Sequence, residues 1–211
     1  MTGDHDFRPY FEATAERPPR PTLLRALAAF AAEGRAPGRA IDLGCGIGRD
    51  SLPLLAAGWS VLAVDSSAEA LAALRRQAGP TARLQTLAAR FEDLETLPPA
   101  DLVNASFSLF LCEAAHFRRV WSLIGDALAG GGRFAGQLLG PRDDFAPADA
   151  RPAFDRTGIE ALCAGYRVEF WQGEETDGLT PKGKPKHWHL HHLVLRRAVG
   201  QRVESDPAKS P

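Results

Sequence analysis

Apolar and polar positions alternate at two periods along most of the chain. From Thr22 to Glu33 the run TLLRALAAFAAE carries apolar residues at helical spacing, and Gly34 closes it. Before it, Pro18, Pro19 and Pro21 hold off helix. RAIDL at 39–43 reads as a short strand and 44–48 as a glycine loop. A helix over 50–57 follows, with Pro53 in its first turn and Gly58 past its end. SVLAV at 60–64 predicts a second strand ending on Asp65. Ser66 and Glu69 then stand at capping-box spacing for a helix running to about Ala78. Further strands are expected at 83–87, 101–105, 133–139, 167–171 and 187–196, with helices at 113–129 and 156–164. The stretch QGEETDGLTPKGKPK at 172–186 reads as a polar loop, and its lysines as solvated.

Strands alternating with helices demand a mostly parallel sheet covered on both faces, because a parallel pair needs a crossover. The last two strands lack a helix between them, which allows an antiparallel edge. The fold class expected is therefore α/β, Rossmann-like and doubly wound.

Composition narrows the function. At 211 residues, 45% hydrophobic and 24% charged, the chain is long enough to bury a core without disulfides or metals. A net charge of −1 argues against a general nucleic-acid binder. Cys45, Cys112 and Cys163 form no CxxC pair, and no apolar run reaches membrane-helix length. These features together read as a cytoplasmic protein.

The sharpest feature is AIDLGCGIGRD at 40–50. A strand delivers Asp42, the loop carries Gly44, Gly46 and Gly48, and a helix follows. Glycine lets backbone turn tightly and approach a ligand. Asp65 ends the next strand, 19 residues after Gly46, where a carboxylate can accept both hydroxyls of a ribose. The dinucleotide fingerprint GxGxxG would need a third glycine where Arg49 stands, and a phosphate loop would need GK[ST]. A nucleoside without phosphates, S-adenosylmethionine, suits the spacing better. Asp42 could then take its amino group.

The stretch IDLGCGIGRDSLPLLAAGWSVLAVDSSAEAL resembles the first two motifs of class I S-adenosylmethionine-dependent methyltransferases, most closely the small-molecule branch with the tellurite- and thiopurine-type enzymes. RFEDL at 90–94, DLVNASFSL at 101–109 and LAGGGRFAGQLLG at 128–140 extend the likeness over residues 39–140. The resemblance implies a seven-stranded sheet with one antiparallel edge strand. It implies that Gly44, Cys45 and Gly46 lie against the methionine end, and that Asp65 holds the ribose with Ser66 beside it. Phe91 and Glu92 then flank adenine, and Asn104 and Ala105 line the pocket beneath the sulfonium. Arg90 stands where many relatives carry Asp and cannot accept from an adenine amino group. One methyltransferase domain over 1–197 is expected. Residues 1–38 form a lid and helix, 39–140 the cofactor core and 141–197 the acceptor side, with 198–211 a disordered tail. In the lid, Tyr10 or Arg17 would meet the methionine carboxylate.

Asn104-Ala105-Ser106-Phe107 lacks the prolines of enzymes that methylate base amines or glutamine amides, and no Pro-Cys nucleophile is present. A small-molecule acceptor is the leading expectation. A non-catalytic cofactor-binding module and a protein or RNA target are its rivals. A protic acceptor would need a base, and KHWHLHH at 186–192 supplies candidates. Alternation puts His187, His189 and His191 on one face and Trp188, Leu190 and His192 on the other. His187 and His189 are the catalytic candidates. Sheet-edge hydrogen bonding is the rival for the histidines, and no metal site is expected.

Overall fold

The computed structural model describes residues 17–146 and 151–199. Seven strands form one sheet: β1 (Arg39–Leu43), β2 (Ser60–Asp65), β3 (Leu84–Ala88), β4 (Ala100–Ala105), β5 (Leu128–Leu139), β6 (Tyr166–Leu179) and β7 (Pro185–Arg197). Their spatial order is β3-β2-β1-β4-β5-β7-β6. The first five run parallel, and β7 lies antiparallel to both β5 and β6. The seven strands expected from the resemblance are present, and the antiparallel element is a hairpin at one edge in which β7 is the antiparallel strand and β6 lies outside it.

Five α-helices accompany the sheet among the described residues: α1 (Pro21–Ala32), α2 (Ser51–Ala56), α3 (Ala68–Ala78), α4 (Ala114–Ala127) and α5 (Arg156–Leu162). α1 starts on Pro21 itself, since proline at the first helical position gives up only an N–H that has no partner there. Its buried face, Leu23, Ala26 and Phe30, joins Leu102, Ala135 and Val194 of the sheet in one core cluster. On the opposite face Phe117, Val120, Trp121 and Ile124 of α4 pack with Phe134, Leu138, Leu193 and Leu195. Each such side chain, fully buried, contributes about 1.5–3 kcal/mol. Arg133 is 1% exposed, yet it is paired with Glu33 at the end of α1 and Glu169 of β6 and lies over the Phe30 ring. This pairing ties α1 to the far edge of the sheet.

Three elements depart from the sequence reading. The N-cap of α3 is Ser67, whose Oγ accepts from Ala70 N at 3.1 Å. Ser66 lies one residue outside because Asp65 Oδ1 takes the Ser67 N–H at 2.9 Å. Leu128 already pairs with Ala100, so β5 includes the three glycines before Arg133, with a register shift there. The 172–186 stretch is mostly strand. β6 and β7 pair as far as Leu179 and Pro185, leaving a turn closed by Thr180 N donating to Lys184 O at 2.8 Å. Cross-strand pairs hold this polar ribbon: His187 with Asp177 at 2.7 Å and His192 with Glu174 at 2.8 Å.

Among the described residues no helix is long and apolar enough to cross a membrane. The expected tail at 198–211 and the first part of the expected lid fall largely outside the described residues.

Candidate active site

β1 and β4 end side by side, and the chain turns away from each in opposite directions across the sheet. That is the point where an open α/β sheet leaves a crevice. The glycine loop lies there. Gly44 and Gly46 have φ of +73° and +52°, a region that side chains disfavour. A Cβ on Gly44 would lie 2.3 Å from Ser108 Cβ and 3.4 Å from the Phe91 ring. Ser108 cannot retreat, because its Oγ donates to Leu43 O at 2.5 Å.

Asp65 joins this loop across the β1–β2 gap. Its Oδ2 accepts from Gly46 N at 2.8 Å and its Oδ1 from Ser67 N. Burial raises its carboxyl pKa, and the Ser67 and Gly46 N–H groups oppose that shift. Cys45 is buried, which pushes its thiol pKa up and leaves it a poor nucleophile. Ser66 is exposed beside Asp65.

Behind the loop lies a closed polar cluster. Asp42 accepts from Ser51 Oγ at 2.6 Å and from Asn104 Nδ2 at 2.8 Å, and Asn104 Nδ2 also reaches Asp50 Oδ2 at 3.1 Å. Burial, then the neighbouring Asp50 charge, pushes Asp42 up to about 7. Asp42 is 2% exposed with a protein partner on each oxygen, and the Asn104 amide faces Asp42 and Asp50. Asp50 also accepts from Arg20 N at 2.9 Å, and Arg49 Nε donates to Pro18 O at 2.7 Å. The stretch 17–20 is therefore strapped across the start of α2. Arg17 is exposed at its beginning, and Tyr10 lies outside the described residues.

On the far side of the loop, Phe91 is buried against Gly44 and Glu92 is fixed. Burial pushes the Glu92 carboxyl pKa up, but the Glu113 N–H at 2.7 Å and Arg90 at 3.3 Å outweigh it, and the net shift is downward. Arg90, the departure seen in the sequence, thus serves as a partner of Glu92 and Glu113.

Beyond β4 the chain makes a second corner. Phe107 has φ +55°, the one positive φ at a non-glycine residue among those described. Such strain persists where surrounding groups impose it. Here Gln137 Oε1 accepts from Phe107 N at 3.0 Å, while Gln137 Nε2 donates to Thr22 Oγ1 of α1. The Phe107 ring meets Phe110, Trp188 and His192 at centroid distances of 6.2–6.5 Å, and the Arg20 guanidinium lies 3.9 Å above it. His192 is bonded to Glu174 and partly exposed.

His187 and His189 point to the other face of β7. His187 lies between Asp177 and Glu175, which raise its pKa in that order. His189 packs on Gly140 and accepts from Arg142 N at 3.2 Å; burial, then Arg142, lowers its pKa. Neither reaches the Phe107 corner. The sequence reading also missed Lys186. It is buried, paired with Asp143, and lies 3.9 and 4.2 Å from the Trp188 and Phe145 rings. Its position between turn and strand gave no sign of burial. For His192 the signal was present, since alternation groups it with Trp188. Among the described residues no group of three or more His, Cys, Asp or Glu could hold a metal ion.

Residues 40–132, from β1 through the first part of β5, match the family described as methyltransferase domain. The chain carries a methyltransferase domain. S-adenosylmethionine is the cofactor such a domain implies. Solved structures share the fold of this methyltransferase. TehB from Haemophilus influenzae matches with TM-score 0.67 and 15% identity over 80% of this chain, which spans 60% of that protein. Magnesium protoporphyrin IX methyltransferase from Synechocystis PCC 6803, solved with bound SAM, matches with TM-score 0.67 and 15% identity over 92% of each chain. The Burkholderia thailandensis 1,6-didemethyltoxoflavin-N1-methyltransferase, solved with its substrate and S-adenosylhomocysteine, matches with TM-score 0.59 and 20% identity over 84% of this chain and 79% of its own. A comparison with curated proteins gives no match. The methyltransferase's loop fits a nucleoside. Asp65 keeps acceptor capacity on both oxygens after its two backbone bonds, which is what ribose hydroxyls require.

Proposed function

We propose that this methyltransferase transfers a methyl group to a small-molecule acceptor held at the Phe107 corner, in a cytoplasmic setting. When bound, S-adenosylmethionine supplies an electrophilic methyl on a sulfonium, and in-line displacement moves it. In this reading Asp65 holds the ribose, with Ser66 beside it, and Gly44, Cys45 and Gly46 lie along the methionine portion. Phe91 and Glu92 border adenine. Asn104 and Ala105 form the floor at the end of β4. Asp42 acts from behind, fixing Asn104 and the start of α2, and Arg17 belongs to the covering segment.

One observation carries the acceptor assignment: the strained Phe107 follows the β4 floor directly and is enclosed by Arg20, Trp188 and His192. A corner lined by rings and capped by a chain segment excludes water and orients a small partner, which is how displacement at a reactive methyl is aligned. The near-neutral charge argues against a polyanionic acceptor. The small-molecule acceptors of the toxoflavin and protoporphyrin enzymes agree with this choice.

The test is a transfer assay with radiolabelled S-adenosylmethionine against a panel of aryl thiols, phenols and heteroaromatic amines, run beside tRNA and a mixed protein extract. Label in a small product supports the reading. Label only in protein or RNA, or cofactor binding with no transfer, overturns it.

A further inference from the structure

We infer that His192 is the general base of the transfer, held by Glu174, and that the acceptor gives up an O–H or N–H proton to it. This rests on the small-molecule reading above. It also moves the base from His187 and His189 to the opposite face of the same strand.

Register places His192 on the acceptor side. Asp42, Asn104, Ala135 and Val194 form one row across β1, β4, β5 and β7. His192 pairs with Gln137 two residues further along, about 7 Å beyond that row, toward the ends of β1 and β4 where the crevice opens. Its ring meets Phe107 at 6.3 Å. Glu174 stands on the same face and bonds Nε2 at 2.8 Å. A carboxylate only accepts, so Nε2 carries the proton and Nδ1 keeps its lone pair. Hydrogen-bonding one nitrogen to an acid while the other stays basic is the arrangement a proton-abstracting histidine needs. The two buried histidines, His189 and His191, are committed elsewhere. His191 accepts from Trp171 Nε1 and is bonded through Nε2 to Phe154 O, and His189 accepts from Arg142 N.

The acceptor O–H or N–H bond breaks and Nδ1 of His192 takes the proton, forming an imidazolium facing Glu174. The freed electron pair forms the bond to the methyl carbon. The S–CH3 bond breaks with its pair staying on sulfur, giving the neutral thioether. The proton leaves His192 to water after product release. His192 is the catalytic residue and Glu174 a positioning residue.

Two measurements decide this. Long-range 1H–15N spectra of the cofactor-free protein, with the His192 signals assigned through His192→Gln, should show Nε2–H as the one tautomer, and Glu174→Ala should relax it to the partial Nε2–H preference of a free neutral imidazole. Methyl transfer is then compared on catechol, un-ionised at neutral pH, and on 4-nitrothiophenol, which ionises without help. His192→Gln should lower the catechol-to-thiophenol rate ratio about 100-fold, within the range of general-base effects. Glu174→Gln should lower it less, and guards against a misfolded His192 variant. An Nδ1–H tautomer, a preference indifferent to Glu174, or equal losses on both probes overturns the assignment. If the wild type methylates neither these probes nor any other member of the small-molecule panel, the small-molecule reading fails, and the tautomer spectra still decide the dyad.

Discussion

Replacing Asp65 gives the sharpest quantitative test of the cofactor site. In the structure its two oxygens each accept one backbone N–H, from Gly46 at 2.8 Å and Ser67 at 2.9 Å. A carboxylate offers about four lone-pair sites, so two remain for ribose hydroxyls. The desolvation is already incurred, because burial has raised this carboxyl in the free protein. The added bonds are charge-assisted, a class worth about 1.5–3 kcal/mol each, and their loss is shared with the loop that Asp65 also holds. Asp65→Ala should therefore weaken S-adenosylhomocysteine by about 1.5–3 kcal/mol, roughly 10- to 150-fold at 1.4 kcal/mol per decade. Asp65→Asn keeps one acceptor but turns an NH2 toward a backbone donor, so it should fall near the upper end of that range. Isothermal titration at pH 7.5 measures the affinity, and urea unfolding separates loss of fold from loss of binding. The proton linkage has a definite sign: protonating Asp65 removes acceptor capacity, so wild-type affinity should fall as pH drops through its raised pKa, and Asp65→Ala should lack that dependence. Affinity within twofold of wild type in Asp65→Ala would refute the ribose assignment.

Four further outcomes are expected. Asp42 has a folded pKa raised to about 7, so its contribution to stability is present below about pH 4 and is lost as pH rises through 7; Asp42→Asn should flatten that slope in urea midpoints taken at pH 5 and 7.5. Lys186→Met leaves the fully buried Asp143 unpaired and should cost about 3–5 kcal/mol by denaturant unfolding, with Lys186→Met/Asp143→Asn recovering part; an unchanged midpoint in the single variant contradicts the burial described. Gly44→Ala meets both a positive φ and Ser108 Cβ at 2.3 Å, and should lose cofactor binding in calorimetry along with about 2–4 kcal/mol of stability. Gln137→Leu strips the Phe107 N–H of its acceptor, so turnover should drop while S-adenosylhomocysteine affinity holds; equal losses would place Gln137 at the cofactor instead.

The half of the site proposed to hold the cofactor was legible because its signals are local. Gly44 and Gly46, the strand ends at Asp42 and Asp65, and the interval between them lie within about thirty residues, where backbone conformation and sequence order coincide. The acceptor half depends on which face of β7 turns inward. Alternation correctly grouped Trp188 with His192, but only docking of β7 beside β5 decides that this group meets Phe107. Three histidines on one face make a denser local pattern than one histidine with an acid eighteen positions away. The polar 172–186 stretch looked like a loop because its stabilising partners are cross-strand charges. Lys186 was misjudged for the same reason: its carboxylate partner is 43 residues distant.

The order β5-β7-β6 also bears on how the molecule is assembled and how it can diversify. β6 joins the sheet solely through β7, and a short turn links the two. This ribbon can close on itself before meeting β5, since hairpin contacts have low loop-closure entropy. It carries both Glu174 and His192, so the proposed proton-handling pair would form with the ribbon and reach the nucleoside crevice ready-made. Exchanging that C-terminal ribbon between relatives offers a route to new acceptor chemistry that leaves the cofactor loop, and the residues fixing it, untouched.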